Sequence, residues 1–366
     1  MFRNFAKLLA FLMAALMLFS FVGCDQLKND EEKTEEEVES PAEVTEEDTA
    51  EAAEVEDQAE EVDPVLAKAL AEAEEKAEDI LAKQEKSEFP MVIEDSADRE
   101  VEIPAVVERV VSLGPNMTEA VFALGCGDRL VGRTDYCDYP EEVSEIESIG
   151  TLMEPNLEKI IELKPDVVLA STHVAEEFVQ KLDEVGIPCL FLYEEHELDG
   201  LKEMFFALGK IFDKNEEAAK LTADVMSRIE YVEELTDEAE EPTVYYVVGF
   251  GEGGDYTAGG DTFINDLLES AGLKNIAEDV EGWSFSAEKL IELDPDYILL
   301  PAWADGLFQE QEPYKNLTAV KEGRVIIVDA NIFSRQGPRV ADAVEFLFEQ
   351  LHPALFEQYK LFKKVA

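Results

Sequence analysis

One thirteen-residue pattern is written twice in this chain, and it restricts the fold more than any other feature. Residues 158–170 read EKIIELKPDVVLA and residues 288–300 read EKLIELDPDYILL, in register and without a gap. Each copy predicts a short helix, a Pro-Asp stop and a buried strand. Asn156 and Ser286 stand two residues ahead of the glutamates, at the N-cap positions. Lys164 and Asp294 precede proline, and a residue before proline is driven out of the right-handed helical region, so both helices end there. Val167 to Leu169 and Tyr297 to Leu300 are near-continuous apolar runs, as a strand covered on both faces requires. The pattern predicts two related α/β lobes, each with the same exposed glutamate, Glu158 or Glu288, near a helix start.

A length of 366 residues accommodates two lobes and additional segments. The net charge is −55, from 85 acids against 30 bases. Nucleic-acid binding needs a basic footprint, so it is excluded, and so is electrostatic attraction to anionic lipid. The acid is not confined to one tail. Residues 25–87 carry a net −19 and residues 1–23 carry +2, which leaves −38 for residue 88 onward.

Arg3 and Lys7 precede an apolar run from Leu8 to Val22, the layout of a secretory signal. Residues 1–23 are therefore expected to be removed. Residues 25–63 are rich in Glu and Asp with almost no aromatics, too polar to order themselves, and read as a tether. Residues 64–87 lack glycine and predict a solvated helical stalk, so 24–87 as a whole separate the folded part from residue 24. Residues 88–107 predict a β-hairpin, Met91–Glu94 and Arg99–Pro104 about a polar turn at 95–98. An N-terminal lobe is expected over 88–214 and a C-terminal lobe over 241–366.

Between them, residues 215–240 show one uninterrupted helical pattern. Ala218, Leu221, Val225, Ile229 and Val232 recur every three or four positions, without Gly or Pro. Other helices are expected near 117–124, 174–185, 198–212, 262–271 and, last, 338–351. The fold class expected is α/β: two Rossmann-like lobes with central sheets, joined by one long rigid helix, with a ligand cleft between the lobes.

Several stretches resemble the helical-backbone substrate-binding proteins of ABC importers, which carry ferric siderophores, haem or cobalamin. They are Val111 to Glu119 (VSLGPNMTE), Asp138-Tyr139-Pro140, Asn156 to Ile160, Lys164-Pro165-Asp166, Tyr256 to Gly260 (YTAGG) and Gln336 to Arg339 (QGPR). The resemblance runs in order over about 109–355, and cobalamin-binding members are nearest in pattern. Val22-Gly23-Cys24, preceded by Phe21, likewise resembles a bacterial lipobox, which implies lipidation of Cys24 after cleavage. The family resemblance implies a monomeric, lipid-anchored receptor on the extracytoplasmic face that performs no chemistry and holds no cofactor of its own. It implies a permease and its ATPase as partners, with Glu158 and Glu288 docking on permease arginines.

In an open α/β sheet ligands gather beyond the carboxyl ends of the strands. The loops expected there are 114–118, 133–139, 152–156, 171–175, 249–260, 281–285, 301–308 and 334–339. They contain Tyr136, Met153, His173, Phe250, Tyr256, Trp283, Trp303 and Arg335, the candidate ligand contacts, together with Tyr139, Phe285 and Phe308. Both tryptophans of the chain fall in this set, and about half of the rings are expected to be core. Flat rings suit a corrin, haem or aromatic chelate. His173 or Met153 is a candidate axial ligand for haem. A catecholate complex would need several cations, and only Arg133, Arg335 and Arg339 are at hand, with Arg339 expected to hold a helix start. A hydroxamate complex needs fewer.

Two other classes fit parts of the chain. Residues 249–254 match G-x-G-x-x-G after a strand, but a dinucleotide site needs a helix to begin inside the motif, and here seven residues intervene. A sensing or adhesion lipoprotein could use the same fold. Of the four cysteines, Cys126 and Cys137 are candidates for a disulfide, and Cys189 lies in an apolar strand.

Overall fold

The computed structural model describes residues 86–171, 174–193, 198 and 200–363, preceded by isolated positions 78, 80 and 82. The chain divides into two units, Met1–Ala67 and Lys68–Ala366, and everything described belongs to the second. The expected signal peptide, Cys24, the acidic tether and most of the stalk lie outside the described residues. No described helix is long and apolar enough to cross a membrane.

A hairpin of β1 (Met91–Glu94) and β2 (Glu100–Ile103) opens the fold. The first lobe contains β3 (Val110–Ser112), α1 (Pro115–Ala123), β4 (Leu130–Arg133), α2 (Leu157–Leu163), β5 (Val167–Ala170), α3 (Glu176–Glu184), β6 (Cys189–Phe191) and α4 (Gly200–Phe212). After α5 (Asn215–Thr236), the second lobe contains β7 (Thr243–Tyr246), β8 (Asp255–Tyr256), α6 (Phe263–Ser270), β9 (Lys274–Asn275), β10 (Ser284–Phe285), α7 (Ala287–Leu293) and β11 (Tyr297–Pro301). It ends with α8 (Leu307–Glu310), α9 (Thr318–Lys321), β12 (Val325–Val328), α10 (Ala330–Ser334), α11 (Val340–Leu351) and α12 (Pro353–Lys363).

Both central sheets are four-stranded and parallel, with orders β4-β3-β5-β6 and β9-β7-β11-β12. Numbered within its own lobe, each sheet runs second, first, third, fourth strand. The two lobes therefore share one topology, as the doubled pattern requires. β5 is buried at every position, and so is β11 after Tyr297.

The helix stops differ in detail from the sequence expectation. Lys164 and Asp294 leave the right-handed region for the left-handed one, with φ of 49° and 41°. The N-caps are as expected: Asn156 accepts from the Lys159 N–H and Ser286 from the Lys289 N–H. The aspartate of each Pro-Asp pair then ties down the first strand of its lobe. Asp166 Oδ2 accepts from the Glu108 and Arg109 N–H groups at 2.9 and 2.8 Å. Asp296 Oδ2 accepts from the Thr243 N–H and hydroxyl at 2.9 and 2.6 Å, which holds its carboxyl below the usual range.

The connecting helix is fixed to both lobes. Its first half packs on α4, where Gly209 lies so close to Ala218 that a Cβ at 209 would sit 2.5 Å from the alanine methyl. Its second half meets α11 and α12. Arg228 donates to Asp342 and Glu345 at 2.5 and 2.6 Å, and the Tyr231 ring lies 4.5 Å from that of Phe362. A helix of 22 residues spans about 33 Å.

Three elements depart from expectation. α1 begins at Pro115, because proline suits the first helical position, where its missing N–H is not needed. For the same reason Pro353 opens a further helix, α12, where the sequence reading stopped at 351. Tyr359 and Phe362 of α12 are buried against the connecting helix. The hairpin turn, lastly, covers the β6 edge: Asp95 accepts from the Phe191 N–H, and Ser96 N–H donates to Phe191 O.

Candidate ligand cleft and docking faces

The carboxyl ends of the two sheets meet along one seam. Glu119 of α1, with a side chain only 2% exposed, is its centre. Arg339 donates Nε and Nη2 to the two Glu119 carboxylate oxygens at 2.8 and 2.7 Å. Arg335 donates Nη1 to Glu119 at 2.8 Å and to Asp138 at 2.6 Å, and Nη2 to Tyr136 O at 3.4 Å. Asn116 Nδ2 donates to Gln336 O at 3.3 Å. Burial alone would lower both guanidinium pKa values, but the hydrogen bonds to the carboxylates prevail and raise them. Loops following β3 and β4 in one lobe thus touch the loop following β12 and α10 in the other.

Each sheet reverses its strand order between its first and third strands, the usual place for a ligand in this topology. In the first lobe that point lies between Gly114 and Ser171, where a Cβ on Gly114 would sit 2.7 Å from the serine oxygen. In the second lobe it holds Phe250 and Trp303, stacked at 5.8 Å with planes 11° apart. Phe308 and Tyr314 support Phe250 edge-on at 5.1 and 5.6 Å. The Tyr314 hydroxyl donates to Asp255 and accepts from the Gly251 N–H. Burial, then Asp255, pushes that phenol up to about 12. The Trp303 indole N–H is buried without a hydrogen-bond partner.

The glycine-rich loop serves this wall and has no dinucleotide geometry. It runs from residue 249 into β8, and the next helix starts at Phe263, capped by Thr262. Tyr256 belongs to the β8–β10 pairing, opposite Ser284, and Trp283 lies just ahead of β10, where its carbonyl accepts from the Thr257 N–H. The Tyr256 hydroxyl donates to Gly253 O at 3.2 Å. Gly259 and Gly260 are required by packing: an added Cβ would lie 2.3 and 1.9 Å from the Val280 and Glu278 carbonyls.

Of the candidate contacts, Phe250, Tyr256, Trp283 and Trp303 are half-buried on one lobe. Tyr136 is half-buried on the other, and Met153 is 48% exposed. His173 lies outside the described residues. Arg335 is engaged in the seam between lobes. Arg339 occupies the N-cap position of α11, but its side chain makes no cap. It goes to Glu119 and lies 4.2 Å over the Tyr139 ring. Among the eight rings of the loops only Phe308 is core, fewer than the half expected. The residue that sequence reading missed is Glu119. Its signal was an acid among Asn116, Met117, Thr118 and Ala120, a helix face that proves to be buried.

Glu158 and Glu288 are exposed at equivalent positions, each in the first turn of the helix that follows a cleft loop. Neither has a hydrogen-bond or ion-pair partner among the described residues. The adjoining lysines are directed elsewhere: Lys159 donates to Glu147 at 2.7 Å, and Lys289 lies 5.2 Å over the Phe285 ring. One turn after each glutamate, Ile161 and Ile291 are 37% and 36% exposed.

Cys126 and Cys137 are free and buried, not paired. Thr118 Oγ1 donates to the Cys137 sulfur at 3.1 Å. Cys189 is buried in β6, and burial pushes its thiol up to about 12. No group of three or more His, Cys, Asp or Glu among the described residues is placed to hold a metal ion.

Two parallel-sheet lobes, one fixed connecting helix and a ring-lined wall beside an ion-paired seam define a two-lobed binding protein of the helical-backbone class. A profile described as periplasmic binding protein matches residues 110–332. The chain is 32% identical over 291 residues to an uncharacterized ABC transporter substrate-binding lipoprotein of Bacillus subtilis, YvrC, covering 76% of this chain and 91% of that one. It is 29% identical over 279 residues to a cobalamin-binding protein of Halobacterium salinarum, covering 72% and 74%. Among solved structures, the periplasmic vitamin B12-binding protein BtuF of Vibrio cholerae matches with a TM-score of 0.57 at 26% identity, over 71% of this chain and 100% of that one. The chain belongs to the periplasmic binding protein family, as an ABC-transporter substrate-binding protein.

Proposed function

We propose that this protein is a lipid-anchored extracytoplasmic receptor that captures a metal chelate or corrinoid between its lobes and delivers it to an ABC permease. It acts as a monomer, without catalysis and without a cofactor of its own. The observation that carries the reading is the stacked Phe250–Trp303 wall at the second lobe's strand reversal, beside the seam where both sheets end. Rings of this kind grip a large flat ligand by area and release it without breaking a charge network. Tyr136, Met153, Tyr256 and Trp283 complete the proposed contact set. His173 is proposed as a further contact, and Arg335 as the residue that shapes the cleft floor. The relatives named for cobalamin or vitamin B12 support a corrinoid as the first ligand to try. Lobe movement is small, because the connecting helix is fixed at both ends and the seam is ion-paired.

Tryptophan fluorescence titration tests the reading, since both tryptophans belong to the proposed cleft. A corrinoid, haem or ferric siderophore is expected to quench with saturation. No response to any of them would remove the cleft from consideration.

Anchoring is proposed through Cys24, in keeping with the sequence around it and the lipoprotein relative. Two or more acyl chains hold a protein stably where one does not. Cys24→Ser is expected to move the protein from the membrane fraction to the soluble fraction or to leave it unprocessed. Unchanged membrane labelling by a radiolabelled fatty acid would exclude this anchor.

The docking partners are proposed to be permease arginines facing Glu158 and Glu288, with Ile161 and Ile291 supplying an apolar contact beside each. The equal placement and the unneutralised carboxylates support this reading.

A further inference from the structure

We infer that the cleft accepts a neutral or cationic chelate and turns away an anionic one. This inference rests on the receptor reading and names the charge class of ligand that the same site would take. The loops at the sheet ends hold seven acids, three arginines and no lysine. All three arginines are held by neighbouring groups. Arg335 and Arg339 are bound to Glu119 and Asp138. Arg133 donates Nε to Val143 O at 3.3 Å and Nη1 to Thr134 O at 3.1 Å, which commits it to the neighbouring helical turn.

The acids are in the opposite condition. Glu154, Glu252, Glu281 and Asp305 are exposed, and none of them has a cation among the described residues. Asp305 accepts only from Gln309. The net charge carried by these loops is therefore negative. The wall supplies no donor for an anion either, because the Trp303 indole N–H is buried. A carboxylate or catecholate brought here loses its water and finds, among the described residues of these loops, no lysine and no arginine that is not already held. A corrinoid or a ferric hydroxamate brings amide groups and a charge of zero or +1, and meets no such penalty.

Equilibrium dialysis of the purified chain decides the matter with five probes. These are a neutral cyano-corrinoid, a cationic aqua-corrinoid, a cationic ferric hydroxamate, haemin with its two propionates, and a ferric tris-catecholate. At least one of the first three is expected to bind, with haemin and the tris-catecholate at least about 30-fold weaker. Raising the salt from about 50 mM to about 500 mM is expected to narrow that gap, because it screens exposed charge. The double variant Glu154→Lys with Glu281→Lys is expected to improve anion binding about tenfold while the neutral probe changes less than about twofold. Haemin or the tris-catecholate binding within about threefold of the best probe would overturn the charge rule and leave the receptor reading standing. An unchanged anion affinity in the double variant would also overturn the charge rule. Binding of none of the five overturns the receptor reading, and the charge rule with it.

Discussion

Reversing both docking charges, Glu158→Arg with Glu288→Arg, is expected to abolish ligand uptake while leaving ligand affinity unchanged. The two glutamates occupy the same place on two lobes of one topology, and neither is neutralised by its neighbouring lysine. Against permease arginines, each reversal replaces attraction with like-charge contact. Such contacts cost several kcal/mol, so uptake should fall by more than about 100-fold. The competing explanation is local, since an acid in a first helical turn stabilises the helix by about 0.3–1 kcal/mol through the dipole. The neutral pair Glu158→Gln with Glu288→Gln separates the two. A dipole role predicts a slightly lower melting temperature and normal uptake per folded molecule. Docking predicts reduced uptake with the melting temperature nearly unchanged. Loss of ligand affinity in either variant would sink the docking assignment.

The second large effect concerns the seam. Glu119→Ala is expected to destabilise the fold by about 3–5 kcal/mol, because it leaves the largely buried Arg339 without its carboxylate and Arg335 with only the exposed Asp138. In a folded part of this size about 2–4 °C is lost per kcal/mol, so the melting temperature should drop by on the order of 10 °C. Removing all three charges, with Glu119→Leu, Arg335→Met and Arg339→Met, is expected to recover most of that loss, since breaking such a network costs more than replacing it. The ligand should separate stability from mechanism. If the seam limits lobe movement, the triple variant becomes stable yet shows a larger change in radius of gyration on ligand binding, read by small-angle scattering. A radius unchanged between wild type and variant would leave the seam as a stability device alone.

How far the site was legible depends on whether the signal was local. The duplicated pattern, the N-caps at Asn156 and Ser286, and the uninterrupted connecting helix are written in adjacent residues, and the structure carries them nearly as spaced. The left-handed stops at Lys164 and Asp294 are less visible, because a pre-proline residue ordinarily prefers the extended region. α12 was hidden by Pro353, which marks a helix start as well as a helix stop. The ring-lined wall was found by its loops, but which rings support others was not. Phe308 is core and Trp303 stacks on Phe250, and both facts depend on where residues about fifty positions apart meet.

Two lobes of one topology, the helix that joins them and an exposed glutamate at an equivalent helix start in each lobe are readable in the residues alone. Those features follow from period, caps and stops, which act within a few residues of chain. What the cleft arginines do is set by contacts made across the fold. Arg335 reads as a ligand contact and Arg339 as a helix-start residue until Glu119, more than 200 positions away, is seen to take both. The physical reason is that a charge acts by its nearest partner in space, and that partner is set by packing.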